Sequence, residues 1–371
     1  MRGQVRQRWV DPVLVPIALL GASIAAHLLA VWTQIRITPG QTVAHLLVKW
    51  DGGIYLRLAQ YGYPRHLAVG SGARAQSTLG FYPLYSLVVR GVVEVTSWSY
   101  ITAGLFVAIA ASAGAVVVIR RLAERLCGPE IADRSVALFV FAPGAIVLSM
   151  SYSEPLFLLL SASCLLALLD DRWEIAGALA FLACLTRPNG LALVAACAAA
   201  ACAALVADRR RLRALVAPAL AMAGFLVLPI YQRIHTGDFL AYWKTQHRGW
   251  GQGFDFGWNT LHESAGVVVH PFRDFNLFMS FLGVVVIVVG AILLVRWRPP
   301  VPVTAYTAVI VVLALGSSQL VSTFRFALTA FPLGIAYTRV TRGTAFAAAI
   351  AVSAVLFAVA AAAATSVIYT P

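Results

Sequence analysis

Apolar stretches recur along the whole chain, and most of them are about 18 residues or longer. An α-helix of that length crosses a hydrocarbon core of about 30 Å. The stretches lie at 12–35, 99–119, 134–150, 154–169, 173–187, 190–207, 214–233, 275–295, 302–320, 325–338 and 344–366. Only 12% of the residues are charged and 60% are hydrophobic, which excludes an ordinary soluble domain. We therefore predict an all-α polytopic membrane protein with about eleven transmembrane helices.

Positively charged residues indicate how these helices are oriented, because Lys and Arg near span ends stay on the cytoplasmic side. The N-terminus and every second connection are basic and carry Arg2, Arg6, Arg8, Arg120, Arg121, Arg125, Arg134, Arg172, Arg209, Arg210, Arg211, Arg213, Arg296, Arg298, Arg339 and Arg342. We therefore expect the N-terminus in the cytoplasm. Interface anchors would be Trp9, Trp32, Trp98, Trp173 and Trp297. This topology explains the net charge of +13, so we expect no nucleic-acid partner.

Two connections are long, at 36–98 and 234–274, and both are extracytoplasmic in this scheme. We expect residues 1–371 to form one transmembrane domain, with helices in the first loop that lie along the membrane surface. Long ordered loops usually carry function. These loops contain cations against the positive-inside trend, at Lys49, Arg57, Arg65, Arg74, Arg90, Lys244, Arg248 and Arg273. A bound phosphate would need such cations.

The segment 49–64, Lys-Trp-Asp-Gly-Gly-Ile-Tyr-Leu-Arg-Leu-Ala-Gln-Tyr-Gly-Tyr-Pro, predicts a short helix after the first span. Two interpretations of Asp51 are open. In the first, Asp51 caps the helix and Trp50 is an interface anchor. In the second, Asp51 is a general base, because a carboxylate at an apolar boundary beside Trp50 and Tyr55 can take a proton from a hydroxyl.

The same segment resembles the Trp-Asp motif in the first loop of the PIG-V-like mannosyltransferases, a branch of the GT-C class of membrane glycosyltransferases. Three further segments resemble this family in the same order. They are Phe81-Tyr82-Pro83-Leu84-Tyr85, Ser151-Tyr152-Ser153-Glu154-Pro155-Leu156-Phe157 and Thr186-Arg187-Pro188-Asn189-Gly190. The resemblance covers the first half of the chain and weakens after about residue 190.

The resemblance implies a GT-C-like helical core with a cavity open to the lipid and to the exterior. It implies inverting transfer of mannose from a polyprenyl phosphate donor to an acceptor hydroxyl on the extracytoplasmic side. The acceptor would be a glycan, a glycolipid or a protein, and the surrounding partners would be membrane lipids. Asp51 would be the base, and Trp50, Tyr55 and Tyr82 would bind substrate. No cofactor is implied.

Other polar residues at span ends also have two interpretations each. Glu154 begins a helix, where the helix dipole alone favours a carboxylate, but it is also a candidate catalytic residue that orients a hydroxyl or a basic partner. Arg187 and Asn189 lie either in a simple turn or in a substrate-binding site. Arg325 either extends its charge to the membrane surface or holds a lipid phosphate.

The second long loop combines aromatic residues with Gln246, His247 and Arg248. Aromatic rings can stack on sugar faces, while these three polar side chains can bind hydroxyls or phosphate. The alternative is an aromatic belt with solvated charges. The His, Cys and Asp spacings match no recognisable metal site, and we expect no required metal.

A function of another class is also compatible with these features. A transporter or flippase of a lipid-linked sugar would use the same cavity without catalysis, and a non-catalytic scaffold would use Asp51 only as a helix cap. Transporters commonly contain internal repeats and broken helices near the midplane. This sequence contains no internal repeat that we recognise, so we favour the glycosyltransferase.

Overall fold

The computed structural model describes residues 11–271, 273–366 and 369. Within these residues the secondary structure is helical, apart from an isolated bridge between Phe254 and Ser317. The α-helices, α1 to α17 in chain order, are Leu14–Ile37, Val43–Leu47, Asp51–Tyr61, Leu84–Thr96, Tyr100–Cys127, Pro129–Val140, Glu154–Leu169, Trp173–Cys184, Leu191–Ala207, Val216–Thr236, Ala241–Trp250, Trp258–Val269, Phe275–Trp297, Val301–Leu315, Thr323–Thr329, Pro332–Val340 and Gly343–Thr365. Short 3₁₀ helices span Gly72–Ala75, Thr78–Gly80, Pro143–Ser149, Pro188–Gly190 and Leu212–Leu215.

Six helical stretches in the described part of the chain are long and apolar enough to cross a membrane. They are α1, α5, α9 and α10 with the 3₁₀ turns that precede them, α13 and α17. A seventh is added if α6 and the bent segment after it form one span, and α7, α8 and α14 are shorter apolar helices. The prediction of a multi-pass, all-α membrane protein is confirmed. The predicted count of eleven spans is not established by helix length.

Prolines divide two of the predicted spans. In 134–150, α6 is followed by the 3₁₀ helix Pro143–Ser149 at an angle of 80°. Proline has no N–H and its ring clashes with the preceding turn, so a straight helix does not continue through Pro143. In 325–338 the chain forms two helices, the second of which begins at Pro332. The bend after α6 carries the following residues towards the first long connection, where the Ser151 N–H donates to the Leu47 carbonyl.

The basic connections meet at one end of the helical bundle. The contacts that join them are Arg125 Nε to Asp170 Oδ1 at 3.9 Å, Arg211 Nη2 to Asp171 Oδ2 at 3.1 Å, and Arg134 Nη1 to the Thr341 carbonyl at 2.7 Å. This grouping agrees with the alternation of charge along the sequence. Arg2, Arg6, Arg8 and Trp9, which also entered that argument, lie outside the described residues.

The two long connections pack against each other at the opposite end of the bundle. The buried Gln232 joins them, because its Nε2 donates to the Leu79 carbonyl and its Oε1 accepts from the Tyr242 N–H, both at 2.8 Å. Gln246 adds a second link, since its Nε2 donates to the Gly80 carbonyl at 2.7 Å. The first and second loops therefore form one cover over this end of the bundle.

Small residues allow the long helices to approach closely. A Cβ at Gly224 on α10 would lie 2.6 Å from the Cα of Phe181 on α8, and a Cβ at Gly177 would lie 3.1 Å from the Cα of Ala217. In a bilayer there is little hydrophobic drive between helices, so close backbone contact through small side chains supplies much of the packing energy. The helices α8 and α10 therefore pack closely against each other.

Candidate active site

The helices α3 and α7 begin next to each other, at Asp51 and Glu154 respectively. The Ser151 N–H donates to the Leu47 carbonyl at 3.0 Å, which ties the chain before α7 to the chain before α3. A Cβ at Gly52 would lie only 3.1 Å from the Ser151 carbonyl oxygen, so a side chain there would crowd this contact. Residues about 100 positions apart therefore bring two carboxylates to one place.

The short helix α15 brings a third part of the chain to the same place. The 3₁₀ helix Pro143–Ser149 packs directly against its backbone, because a Cβ at Gly144 would clash with the Phe324 carbonyl. A Cβ at Gly283 on α13 would also lie 2.9 Å from the Thr323 side chain. α15 is therefore fixed from two sides, and Arg325 extends from it towards Asp51 and Glu154.

Two acidic and two basic side chains meet here, and we call Asp51, Glu154, Arg187 and Arg325 the charge cluster. Arg325 Nη1 donates to Asp51 Oδ2 at 2.6 Å. Arg325 Nε lies 3.2 Å from Glu154 Oε1, and Arg187 Nη1 lies 2.6 Å from the same oxygen. The two contacts to Glu154 are short charge pairs that lack aligned hydrogen-bond geometry. Both arginines thus share one carboxylate, and only Arg325 also contacts Asp51.

The four side chains of the charge cluster differ in exposure, and Asp51 is the most exposed and Glu154 the least. The exposed fraction of the side chain is 23% for Asp51, 14% for Arg325, 10% for Arg187 and 0% for Glu154. Two positive and two negative charges balance, which is what a buried group of ions requires. Because Asp51 is the most accessible member, it is the carboxylate best placed to meet a substrate.

A tyrosine and a serine extend the charge cluster. The Tyr55 hydroxyl lies 2.6 Å from Ser153 Oγ, and Arg187 Nη1 donates to the same serine oxygen at 3.2 Å. Burial raises the pKa of the Tyr55 hydroxyl, and burial likewise raises the pKa values of Tyr82 and Tyr242. The raised pKa values favour the neutral hydroxyl form of these three tyrosines.

The interpretation of Asp51 as a helix cap is wrong for the described structure. Trp50 occupies the N-cap position of α3, and no side chain caps the helix. The Asp51 carboxylate instead pairs with Arg325. Trp50 has φ of 59° and ψ of −125°, a positive-φ conformation that is costly for a bulky residue and is found mostly where the surrounding structure enforces it. The Asp51 carboxylate thus pairs with Arg325 and does not cap α3.

The alternative interpretation of Arg325, a charge that reaches the membrane surface, is also wrong. Its guanidinium lies within the charge cluster, and its Cζ lies 5.7 Å from the ring centroid of Tyr152. The two interpretations of Arg187 are compatible with each other. It precedes the 3₁₀ turn Pro188–Gly190, and its side chain belongs to the charge cluster.

A cavity of about 310 Å³ lies beside the charge cluster, between the two long connections and the bundle. Its lining includes Asp51, Arg187 and Arg325, and otherwise consists of aromatic, apolar and uncharged polar residues. Those with polar or aromatic side chains are Tyr55, Phe81, Tyr82, Asn189, Tyr242, Trp243, Gln246, Trp250, Gln252, Phe254, Ser317, Ser322 and Phe326. Aromatic faces together with amides and hydroxyls are suited to binding a sugar.

The predicted site residues divide into two groups. Asp51, Tyr55, Tyr82, Arg187, Asn189, Gln246 and Arg325 line the cavity, and Glu154 lies directly behind the arginines. Trp50 does not line the cavity. It packs against the large cluster of buried apolar side chains in the helical bundle. His247 and Arg248 are exposed on α11 and are also outside the lining. Gln246, the residue before them, faces inward because it bonds to the Gly80 carbonyl.

Several residues that shape the site were not among the predicted site residues. Ser153 lies within one of the segments that resemble the mannosyltransferase family. The sequence therefore did indicate that this part of the chain belongs to the site. Gln232 was detectable as a polar residue at the end of the apolar stretch 214–233. Ser317 and Phe326 line the cavity, but no local pattern at either position indicates this. Their place depends on how α14 and α15 pack.

We expect Gly144→Ala to lower the free energy of unfolding by about 1–3 kcal/mol, because the new methyl group overlaps the Phe324 backbone. The measurement is thermal unfolding of the purified protein in detergent. Gly334→Ala on α16 is the matched control, since a Cβ there meets nothing within 4 Å and alanine favours a helix. Equal stability of both variants would contradict close packing of α15 at Gly144.

Comparisons with known proteins agree with this arrangement. The family model for Mannosyltransferase (PIG-V) matches residues 28–234, which include Asp51, Glu154 and Arg187. No curated protein matches the chain.

Solved structures show a similar fold at low sequence identity. The chain is similar to the Archaeoglobus fulgidus oligosaccharyltransferase in its apo form, with 11% identity, a TM-score of 0.56 and coverage of 96% of this chain and 56% of that one. It is also similar to ArnT from Cupriavidus metallidurans bound to undecaprenyl phosphate, with 14% identity, a TM-score of 0.50 and coverage of 89% and 61%. The chain thus spans less than two thirds of either structure. Because the family model covers more than half of the sequence, the chain belongs to the mannosyltransferase (PIG-V) family, with a GT-C-like fold.

Proposed function

We propose that this membrane glycosyltransferase transfers mannose, with inversion at the anomeric carbon, from a polyprenyl phosphate donor to an acceptor hydroxyl. The observation that carries the proposal is the position of Asp51 on the cavity wall, with its carboxylate 2.6 Å from a buried arginine. A base and a cation are thereby adjacent in one sugar-sized cavity. Family membership favours this function over a transporter, which would need no base.

In the proposed reaction, Asp51 accepts the proton of the acceptor hydroxyl. The acceptor oxygen forms a bond to the anomeric carbon of mannose, and the bond from that carbon to the phosphate oxygen breaks. The electron pair of the broken bond leaves with the polyprenyl phosphate. The charge cluster, neutral before the reaction, gains one positive charge as the phosphate gains one negative charge.

Arg325 and Arg187 are the proposed cations for the departing phosphate, because both line the cavity and are held before substrate arrives. Glu154 has no exposed surface, so we assign it the positioning of both arginines and not contact with substrate. Arg325 would then work with two carboxylates, one that positions it and one that reacts. Preorganised charge of this kind needs no rearrangement during the reaction.

The remaining cavity residues are proposed to bind the sugars. Tyr55, Tyr82 and Gln246 present hydroxyl and amide groups, and Asn189 is held by a contact of 3.4 Å to Thr329 Oγ1. Trp50 supports the turn before Asp51 and is not proposed to contact the sugar. His247 and Arg248 would meet only a part of the acceptor that extends beyond the cavity.

We propose that the site opens on the extracytoplasmic side. The basic connections lie at the opposite end of the bundle, and such connections remain in the cytoplasm. Eleven crossings with the N-terminus inside account for this alternation, with α7, α8, α14 and the divided helices as short or bent spans. The solved ArnT structure contains undecaprenyl phosphate, which supports a polyprenyl phosphate sugar as the donor.

The test is a transfer assay with the purified chain, radiolabelled mannose on a polyprenyl phosphate, and a lipid and glycan extract as acceptor. We expect labelled product whose anomeric configuration, determined by NMR, is opposite to that of the donor. GDP-mannose is the donor control and should give no product. Product from GDP-mannose alone, or product of retained configuration, would contradict the proposal. Movement of the intact donor across vesicles without transfer would establish a transporter instead.

A further inference from the structure

A second concave site lies at the basic end of the bundle, remote from the charge cluster. It is a groove of about 600 Å³ between α5, α7 and α8. Its lining combines Arg121, Arg125 and Arg172 with two acidic residues and with apolar residues that include Val118, Ile175 and Leu179. α7 connects the two sites, since it begins at Glu154 and ends beside the groove.

The acidic residues of the groove leave two of its three arginines without an ion pair among the described residues. Glu124 is paired with Arg120, whose Nη1 lies 2.8 Å from the glutamate Oε2. Asp170 lies 3.9 Å from Arg125, at the outer limit of an ion pair, and both side chains are about half exposed. Within the described residues, Arg121 and Arg172 have no ion pair with a protein carboxylate. The groove therefore has positive charge available for an anion.

The opposite wall of the groove is apolar and partly exposed on the surface of the bundle. Ile175 is 51% exposed, and Val118 and Leu179 are partly exposed on α5 and α8. In a membrane-spanning bundle such side chains meet acyl chains and not water. The arginines match the anionic headgroup of a phospholipid, and the apolar wall matches its acyl chains. A soluble anion has no acyl chains to pack against this wall.

We propose that this groove binds an anionic phospholipid, with its phosphate among Arg121, Arg125 and Arg172 and its acyl chains along Val118, Ile175 and Leu179. Basic pockets between transmembrane helices on the cytoplasmic side are suited to anionic headgroups. A bound lipid would join α5 to the α7–α8 turn and stabilise the bundle by mass action. This site is independent of the transferase reaction and holds even if the donor is different.

The test titrates phosphatidylglycerol into the detergent-purified protein and records the unfolding temperature and the bound lipid by native mass spectrometry. The double variant Arg121→Gln/Arg172→Gln is compared with Arg209→Gln/Arg210→Gln, which removes two charges at the same end but outside the groove. We expect saturable binding that weakens about 30-fold in the first variant and stays close to wild type in the second.

Two further probes identify the chemistry of the occupant. Phosphatidylcholine and inorganic phosphate should each bind far more weakly than phosphatidylglycerol, because the first lacks net charge and the second lacks acyl chains. If both double variants lost the same affinity for phosphatidylglycerol, binding would depend only on general surface charge. That result would overturn the proposal. Equal binding of inorganic phosphate would also overturn it, in favour of a soluble anion.

Discussion

Asp51→Asn is expected to lower the rate of mannose transfer by about 10²–10⁴-fold, because an amide has similar size but does not accept the proton of the acceptor hydroxyl. The measurement is steady-state transfer from polyprenyl phosphate mannose with purified wild-type and variant proteins at matched amounts. If Asp51 is the base, kcat falls while KM for the donor stays the same or decreases, since Arg325 loses a competing anion.

Asp274→Asn is the matched control for this change. Asp274 precedes α13 at the same end of the bundle, where its carboxylate accepts from the Leu277 N–H at 3.0 Å, and asparagine caps a helix about as well. Near-normal transfer is expected in this variant. If Asp51→Asn raised KM for the donor and left kcat unchanged, Asp51 would serve only to position Arg325, and the assignment of the base would be lost.

Glu154→Gln is expected to lower the free energy of unfolding by about 3–5 kcal/mol, the usual effect of removing one partner from a buried ion pair. The loss arises because Glu154 lies between two buried arginines, and without it only Asp51 balances them. The measurement is thermal and denaturant unfolding of the detergent-purified protein. Glu94→Gln is the control, because its pair with Arg90 is exposed on both sides and contributes at most about 1 kcal/mol.

A double-mutant cycle separates charge imbalance from loss of packing in the Glu154 variant. Removing a positive charge as well, in Glu154→Gln/Arg187→Gln, restores the balance of the charge cluster. We expect the double variant to be more stable than the sum of the single losses, with a coupling of about 0.5–3 kcal/mol. Additive losses would show that the two side chains do not act as a pair, contrary to their distance of 2.6 Å.

Local features of the chain were predictable because they depend on neighbours in the sequence. The short helix after the first span is present as α3, and it ends before Gly62, which has φ of 74°. Long apolar stretches became helices because a backbone in lipid must satisfy its own hydrogen bonds. The family resemblance was found from four short ordered segments, and the family model confirms it.

The contacts within the site were not predictable in the same way. Asp51 and Arg325 are 274 positions apart, so no local pattern indicates that they form a pair. Asp51 has a good capping residue type at a helix start, yet the tertiary contact with Arg325 prevailed over capping. His247 and Arg248 have suitable chemistry but lie on the exposed face of α11, and their neighbour Gln246 faces the cavity.

The sequence by itself determined that this chain is a multi-pass helical membrane protein of a mannosyltransferase family, since hydropathy, basic turns and short motifs are properties of adjacent residues. Only the tertiary structure decided which charges share the site and how deeply Glu154 is buried. It also decided how the chain bends after α6 ends at Val140. The physical reason is that charge pairing and desolvation depend on distances in space. Those distances are set when α3, α7 and α15 pack together, and they cannot be read from the order of residues in the chain.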